Sequence, residues 1–129
     1  MNRIVDELKA VKVFYIATMD GNQPRVRPFG SVAEFEENAY ICMGNFKDVY
    51  KQIKENPNVE LCGMYDAVSW IRIKTILVED NRLEVQQAML ADPTGPKGIY
   101  EAGDGKFVTF KLTDIKATKY SFFAAPEEI

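Results

Sequence analysis

Hydrophobic positions switch period several times along the chain, and each switch marks an element. Residues 2–11 place Ile4, Val5 and Leu8 on one helical face, with Asn2 available as a cap. Residues 13–19, VFYIATM, are β-branched and aromatic and predict a strand, closed by an Asp20-Gly21 hairpin signal. A long strand over 24–35 follows, interrupted by Pro28 and Gly30 as a bent or edge strand is. Glu36-Glu37-Asn38 reads as a polar turn, and 39–43 as a sandwich-core strand.

The period then lengthens. A helix is predicted over 47–55, with Asn45 as its cap, Asp48 completing an approximate capping box, and Val49 and Ile53 facing the core. Asn56-Pro57 ends it. Strands are expected over 59–64 and 68–79, then a helix over 82–91 capped by Asn81 with Glu84 and burying Leu83, Met89 and Leu90. Residues 92–96 are a loop; 107–112 and 115–122 form a last strand pair joined at Thr113-Asp114. Hairpin-linked strands with few helices predict a mainly β (α+β) chain, an antiparallel barrel with peripheral helices. At 129 residues without repeats or linkers, a single domain is expected.

Composition narrows the function. Apolar residues make up 47% and charged residues 27%, ordinary globular values. The net charge of −3 argues against whole-surface attraction to nucleic acid or anionic lipid. No apolar run approaches the roughly 18 residues of a membrane span, and MNRIVDELKAV is too acidic for a signal peptide, so a cytoplasmic location is expected. Cys42 and Cys62 lie in apolar runs without metal-ligand spacing, which predicts buried, reduced thiols; a redox pair stays open if their strands are neighbours. Histidine is absent, which removes Ser-His and Cys-His catalysis, His-ligated haem and most catalytic zinc sites. No metal site and no catalytic acid or base is nominated.

Candidate chemistry concentrates between Asn22 and Leu61. Arg25 and Arg27, two apart on a strand, leave one face, while Val26 and Pro28 leave the other. An anion between the guanidiniums would relieve their repulsion; salt bridges to acids such as Glu34 or Glu36 are the plainer alternative. Lys47 opens a helix, where a cation opposes the macrodipole unless an anion is bound. Free backbone N–H groups there add donors, so a phosphate-bearing small molecule is the expected ligand. Pro28 leaves its strand incompletely paired beside Phe29, and Gly44 permits close backbone approach; a barrel-bending bulge explains both equally. Trp70, Arg72 and Lys74 share one strand face, either a ligand or subunit surface or simply the barrel exterior. Tyr50 can face the anion site or pack beside Ile53.

The runs GNQPRVRPF and AYICMGNFKDVYKQIKENPNVEL, and more weakly WIRIKTILVED, resemble the FMN-binding split-barrel proteins related to pyridoxamine 5′-phosphate oxidase. The likeness covers most of residues 11–80. It implies a six-stranded antiparallel split β-barrel forming homodimers with FMN at the interface. Arg27 and Lys47 would hold the FMN phosphate, flanked by Arg25. Val26, Pro28 and Phe29 would line the isoalloxazine ring, and Met43, Gly44 and Asn45 the ribityl-phosphate side. Trp70 and Arg72 would serve the partner's cofactor.

Two departures modify the expectation. Asn45-Phe46-Lys47 replaces a Ser-Arg-Lys-like turn, one phosphate donor fewer, and the ending SFFAAPEEI lacks the oxidases' arginine-and-histidine element. A flavin-dependent reductase on an unidentified small acceptor is therefore expected rather than a vitamin B6 oxidase. The alternatives are a flavin-binding or storage module without turnover, a deazaflavin-binding relative, and a cofactor-free barrel used for protein contacts.

Overall fold

The computed structural model describes residues 2–129. Three helices, α1 (Arg3–Val11), α2 (Asp48–Glu55) and α3 (Leu83–Ala91), decorate one antiparallel sheet. Its strands are β1 (Phe14–Asp20), β2 (Gln23–Phe29), β3 (Ala33–Phe35), β4 (Asn38–Gly44), β5 (Asn58–Met64), β6 (Ser69–Glu79), β7 (Phe107–Ser121) and β8 (Glu127–Glu128). The order is β2-β1-β5-β6-β7-β4-β3, with β8 on β7. The sheet curls without closing, since β2 and β3 are its two ends, and the result is a split barrel.

The eight strands replace the six expected. The run 24–35 divides into β2 and β3, because Gly30–Val32 leaves the sheet and re-enters at its opposite end. The expected pair 107–112 and 115–122 is instead one strand. Asp114 adopts φ +47° beside a register shift between Lys74 and Ile76, so Thr113-Asp114 is a bulge that bends the strand rather than a hairpin that ends it. Thr75 and Thr113 bridge this point, each donating to a carbonyl across the strands.

Local signals act elsewhere as their chemistry dictates. The Asn2 side chain caps α1 by accepting from the Val5 amide at 3.1 Å. Gly21 takes φ +59° in the β1–β2 hairpin, and Glu36 and Glu37 both take positive φ in the β3–β4 turn. β4 is apolar at consecutive positions because it is buried on both faces. Ala39, Ile41 and Met43 join the barrel core with Phe14, Ile16, Leu61, Ile71 and Phe110. Tyr40 and Cys42 pack on the other side against Val85 and Met89 of α3.

Two expected caps fail for one reason, recruitment by distant partners. Asn45 donates its amide to the Gly105 carbonyl at 2.9 Å, and α2 has Lys47 at its N-cap without a side-chain cap. Asn81 accepts from the Thr109 amide at 2.9 Å, and α3 likewise lacks a side-chain cap. Leu83, expected in the core, is 48% exposed at the tip of α3, where Val85 takes the inward position. Cys42 and Cys62 are free thiols; β4 and β5 are separated by β6 and β7, so they form no pair.

Candidate functional site

The β1–β2 register sets Arg27 opposite Ile16 and Arg25 opposite Thr18. Cross-strand partners share a face, so both guanidiniums project to the side occupied by the core residues Phe14 and Ile16. α2 lies over that side, anchored by Val49 and Ile53. Arg27 is caught between the edge strand and the helix.

Arg27 has an unusual set of partners. One terminal nitrogen donates to the Ile16 carbonyl at 3.2 Å and the Thr18 hydroxyl at 2.7 Å. The other donates to Gln52 Oε1 at 2.7 Å. All are neutral, and no ion pair to Arg27 occurs among the described residues. Burial, joined by the charge of Arg25 and opposed by that of Asp48, holds the guanidinium below its ordinary pKa. It nevertheless stays cationic at neutral pH. Arg25, by contrast, pairs with Asp20 at 3.2 Å, not with Glu34 or Glu36.

Lys47 stands at the N-cap of α2. Its ammonium lies 5.9 Å from the Phe46 ring centroid and has no carboxylate partner among the described residues. Arg27, Lys47 and Val49 line two adjoining cavities. One, about 700 Å³, runs along α2 and is polar, with Arg25 and Val26 on the strand side, Lys51 and Gln52 on the helix side, and the carboxylates Asp20, Asp48 and Glu55 in its lining. The other, about 500 Å³, is apolar, lined by Pro28, Phe29, Met43, Gly44, Ile99 and Tyr100. Phe46 and Tyr100 close over Gly44 so tightly that a Cβ there would meet each at 2.5 Å. Cys42 borders the apolar chamber, its thiol pushed up to about 12 by burial.

The arrangement places Arg27 and Lys47, neither of them in an ion pair among the described residues, at the junction of a polar and an apolar chamber. That suits an anionic group attached to a flat, largely apolar body. A solved structure of a NimC/NimA family protein from Clostridium acetobutylicum is 38% identical to this chain, with a TM-score of 0.90 over 98% of this chain and 91% of that one.

This chain belongs to the NimC/NimA family.

More distant neighbours share the fold of this NimC/NimA family member. A pyridoxamine 5′-phosphate oxidase-related, FMN binding protein from Nostoc punctiforme superposes with a TM-score of 0.67 at 14% identity, over 98% of this chain and 95% of that one. A heme binding protein from Mycobacterium smegmatis does so with a TM-score of 0.73 at 9% identity, over 97% of this chain and 57% of that one. No protein-family model and no curated protein matches the chain. The kinship expected from the run Asn22–Leu61 is thus met.

Of the residues singled out in this NimC/NimA sequence, Arg25, Val26, Arg27, Pro28, Phe29, Met43, Gly44 and Lys47 line the two chambers. Four do not. Asn45 ties its turn to Gly105. Tyr50 points to the far side of α2, its hydroxyl 3.1 Å from both Glu79 oxygens and its ring against Phe110. Trp70 stacks on Tyr120 at 5.6 Å, and Arg72 pairs with Glu60 at 2.8 Å, both on the outer face of the barrel.

Thr18, Gln52, Phe46, Ile99 and Tyr100 were not foreseen. Thr18 carried a signal: it follows Phe14 and Ile16 at period two, so a hydroxyl on that buried face demands a partner. Gln52 and Tyr100 reach the site only through long-range packing.

Proposed function

We propose that this protein binds FMN non-covalently and acts as a flavin-dependent reductase of a small acceptor. One observation carries the reading: Arg27 and Lys47 line one cleft, neither is in an ion pair among the described residues, and Arg27 hydrogen-bonds there to neutral acceptors. Such cations are available to a phosphate, and the N-terminal N–H groups of α2 lie beside them. The apolar chamber between Pro28, Phe29 and Met43 suits an isoalloxazine ring.

A bound flavin supplies the redox chemistry, accepting electrons from a donor and passing them to the acceptor. The protein's part is to anchor the phosphate, set the ring and exclude water. Cys42 stays a protonated thiol at neutral pH, so it offers no base to that chamber.

The reading includes a homodimer. Tyr15, Val26 and Met64, all about half exposed or more, share the outer sheet face with Cys62 and Trp70 through the β2-β1-β5-β6 register. Exposed apolar side chains on a sheet face that also carries the Glu60–Arg72 pair support burial against a second copy. Trp70 and Arg72 would then approach the partner's cleft.

The decisive experiment is the absorption spectrum of freshly purified protein, followed by titration of the apoprotein with FMN. Flavin bands and saturable uptake are expected. Colourless protein that takes up no FMN would refute the reading. Yellow protein that no nicotinamide donor bleaches would retain the binding site and remove the reductase. Sedimentation should give twice the chain mass.

A further inference from the structure

Arg27 makes three contacts inside the fold, and two of them are to the side chains of Thr18 and Gln52, to which the resemblance assigns no role. Thr18 is 2% exposed. Its hydroxyl accepts from Arg27 at 2.7 Å, so its own proton is free to donate, and Gln52 Oε1 receives it at 2.6 Å. The same Oε1 accepts from the second guanidinium nitrogen at 2.7 Å. Two donors on one amide oxygen fix which end of the Gln52 amide is oxygen. The amide nitrogen therefore faces away from Arg27 and Thr18. It has no partner among the described residues, while Gln52 lines the polar chamber with Arg27 and Lys47.

The geometry points to Gln52 as a dual residue: its carbonyl, steadied by Thr18, positions Arg27, and its amide N–H donates to the phosphoryl group held by Arg27 and Lys47. This rests on the FMN reading above. It also restores the donor missing from the Asn45-Phe46-Lys47 turn, from the helix side. A carboxylate at position 52 could hold Arg27 just as well but would neutralise it and repel the anion. A neutral amide alone orients the cation, leaves its charge intact and adds a donor.

The test compares Gln52→Glu with Gln52→Met by titrating apoprotein with FMN and with riboflavin, which lacks the phosphate. Glutamate keeps an acceptor for Thr18 and Arg27 but removes the donor and adds a negative charge. Methionine keeps the bulk and removes both functions. FMN affinity should fall roughly ten- to hundredfold in Gln52→Glu and only about three- to tenfold in Gln52→Met. Riboflavin affinity should be unchanged in both; where riboflavin binds too weakly to titrate, the ordering with FMN decides. Thr18→Val should weaken FMN about threefold and Thr18→Ser should restore it.

A purely structural Gln52 gives the opposite order, methionine worse than glutamate, because glutamate preserves the contacts to Thr18 and Arg27. That order, or equal losses for FMN and riboflavin, overturns the inference and leaves the flavin reading standing. A wild type that binds no FMN overturns both.

Discussion

Replacing Arg27 by alanine separates the ligand's demand for a cation from the fold's. The guanidinium is partly buried and has no counter-ion among the described residues, and burial disfavours its charged form. Thr18 and Gln52 keep each other as partners once it is gone. The apoprotein should therefore melt within a few degrees of wild type. With FMN the result differs, because one charge-assisted hydrogen bond, worth about 1.5–3 kcal/mol, is lost, or roughly ten- to hundredfold in affinity. At FMN equal to about 100 times the wild-type Kd, binding stabilises the wild type by about 2.7 kcal/mol. The same concentration stabilises the variant by only about 0.4–1.4 kcal/mol. For a chain of this size those energies correspond to melting shifts of roughly 10 °C and roughly 2–6 °C. Differential scanning fluorimetry with and without FMN reads both quantities on one plate. Lys47→Ala should behave alike, without destabilising the apoprotein, since its ammonium has no ion pair among the described residues and opposes the helix dipole. Full FMN-induced shifts in both variants would refute the assignment of the cleft.

Two further outcomes follow from charges near the site and beneath it. Asp48 opens α2, lines the same polar chamber as Arg27 and interacts with its charge, so Asp48→Asn should tighten FMN about two- to fivefold by titration. It should also cost the apoprotein about 0.3–1 kcal/mol, because an acidic first turn favours the helix dipole. Asp80 receives hydrogen bonds from Arg82 at 2.9 Å and Tyr40 at 2.7 Å, and Arg82 chiefly holds its carboxyl down to about 2. A carboxylate depressed in the folded state stabilises above its unfolded pKa and loses that contribution as pH falls through the folded one. Asp80→Asn should therefore destabilise by on the order of 1–2 kcal/mol above about pH 4, allowing for solvent screening. In urea melts the difference should fade as the pH approaches 2; a gap independent of pH would contradict the ion-pair account.

Features that depend on a few consecutive residues could be read along the chain. The Asn2 cap, the Gly21 hairpin and the common face of Arg25 and Arg27 follow from local stereochemistry, and period two in a strand needs no knowledge of what lies opposite. That was enough to point to Arg27 and Lys47 together, with Lys47 at the N-cap of α2 and Asn56-Pro57 ending that helix. What Asn45 and Asn81 bind, by contrast, was settled by Gly105 and Thr109, residues 60 and 28 positions away. The fate of Thr113-Asp114 depended on whether β7 had partners on both sides of the bend, which only the assembled sheet supplies. Tyr50 and Gln52 show the same division within one helix: both were visible as helical residues, yet Glu79 drew one outward and Arg27 drew the other into the cleft. Secondary structure is a property of neighbours in sequence, whereas the partner of a polar side chain is chosen among groups that meet only after the chain has folded.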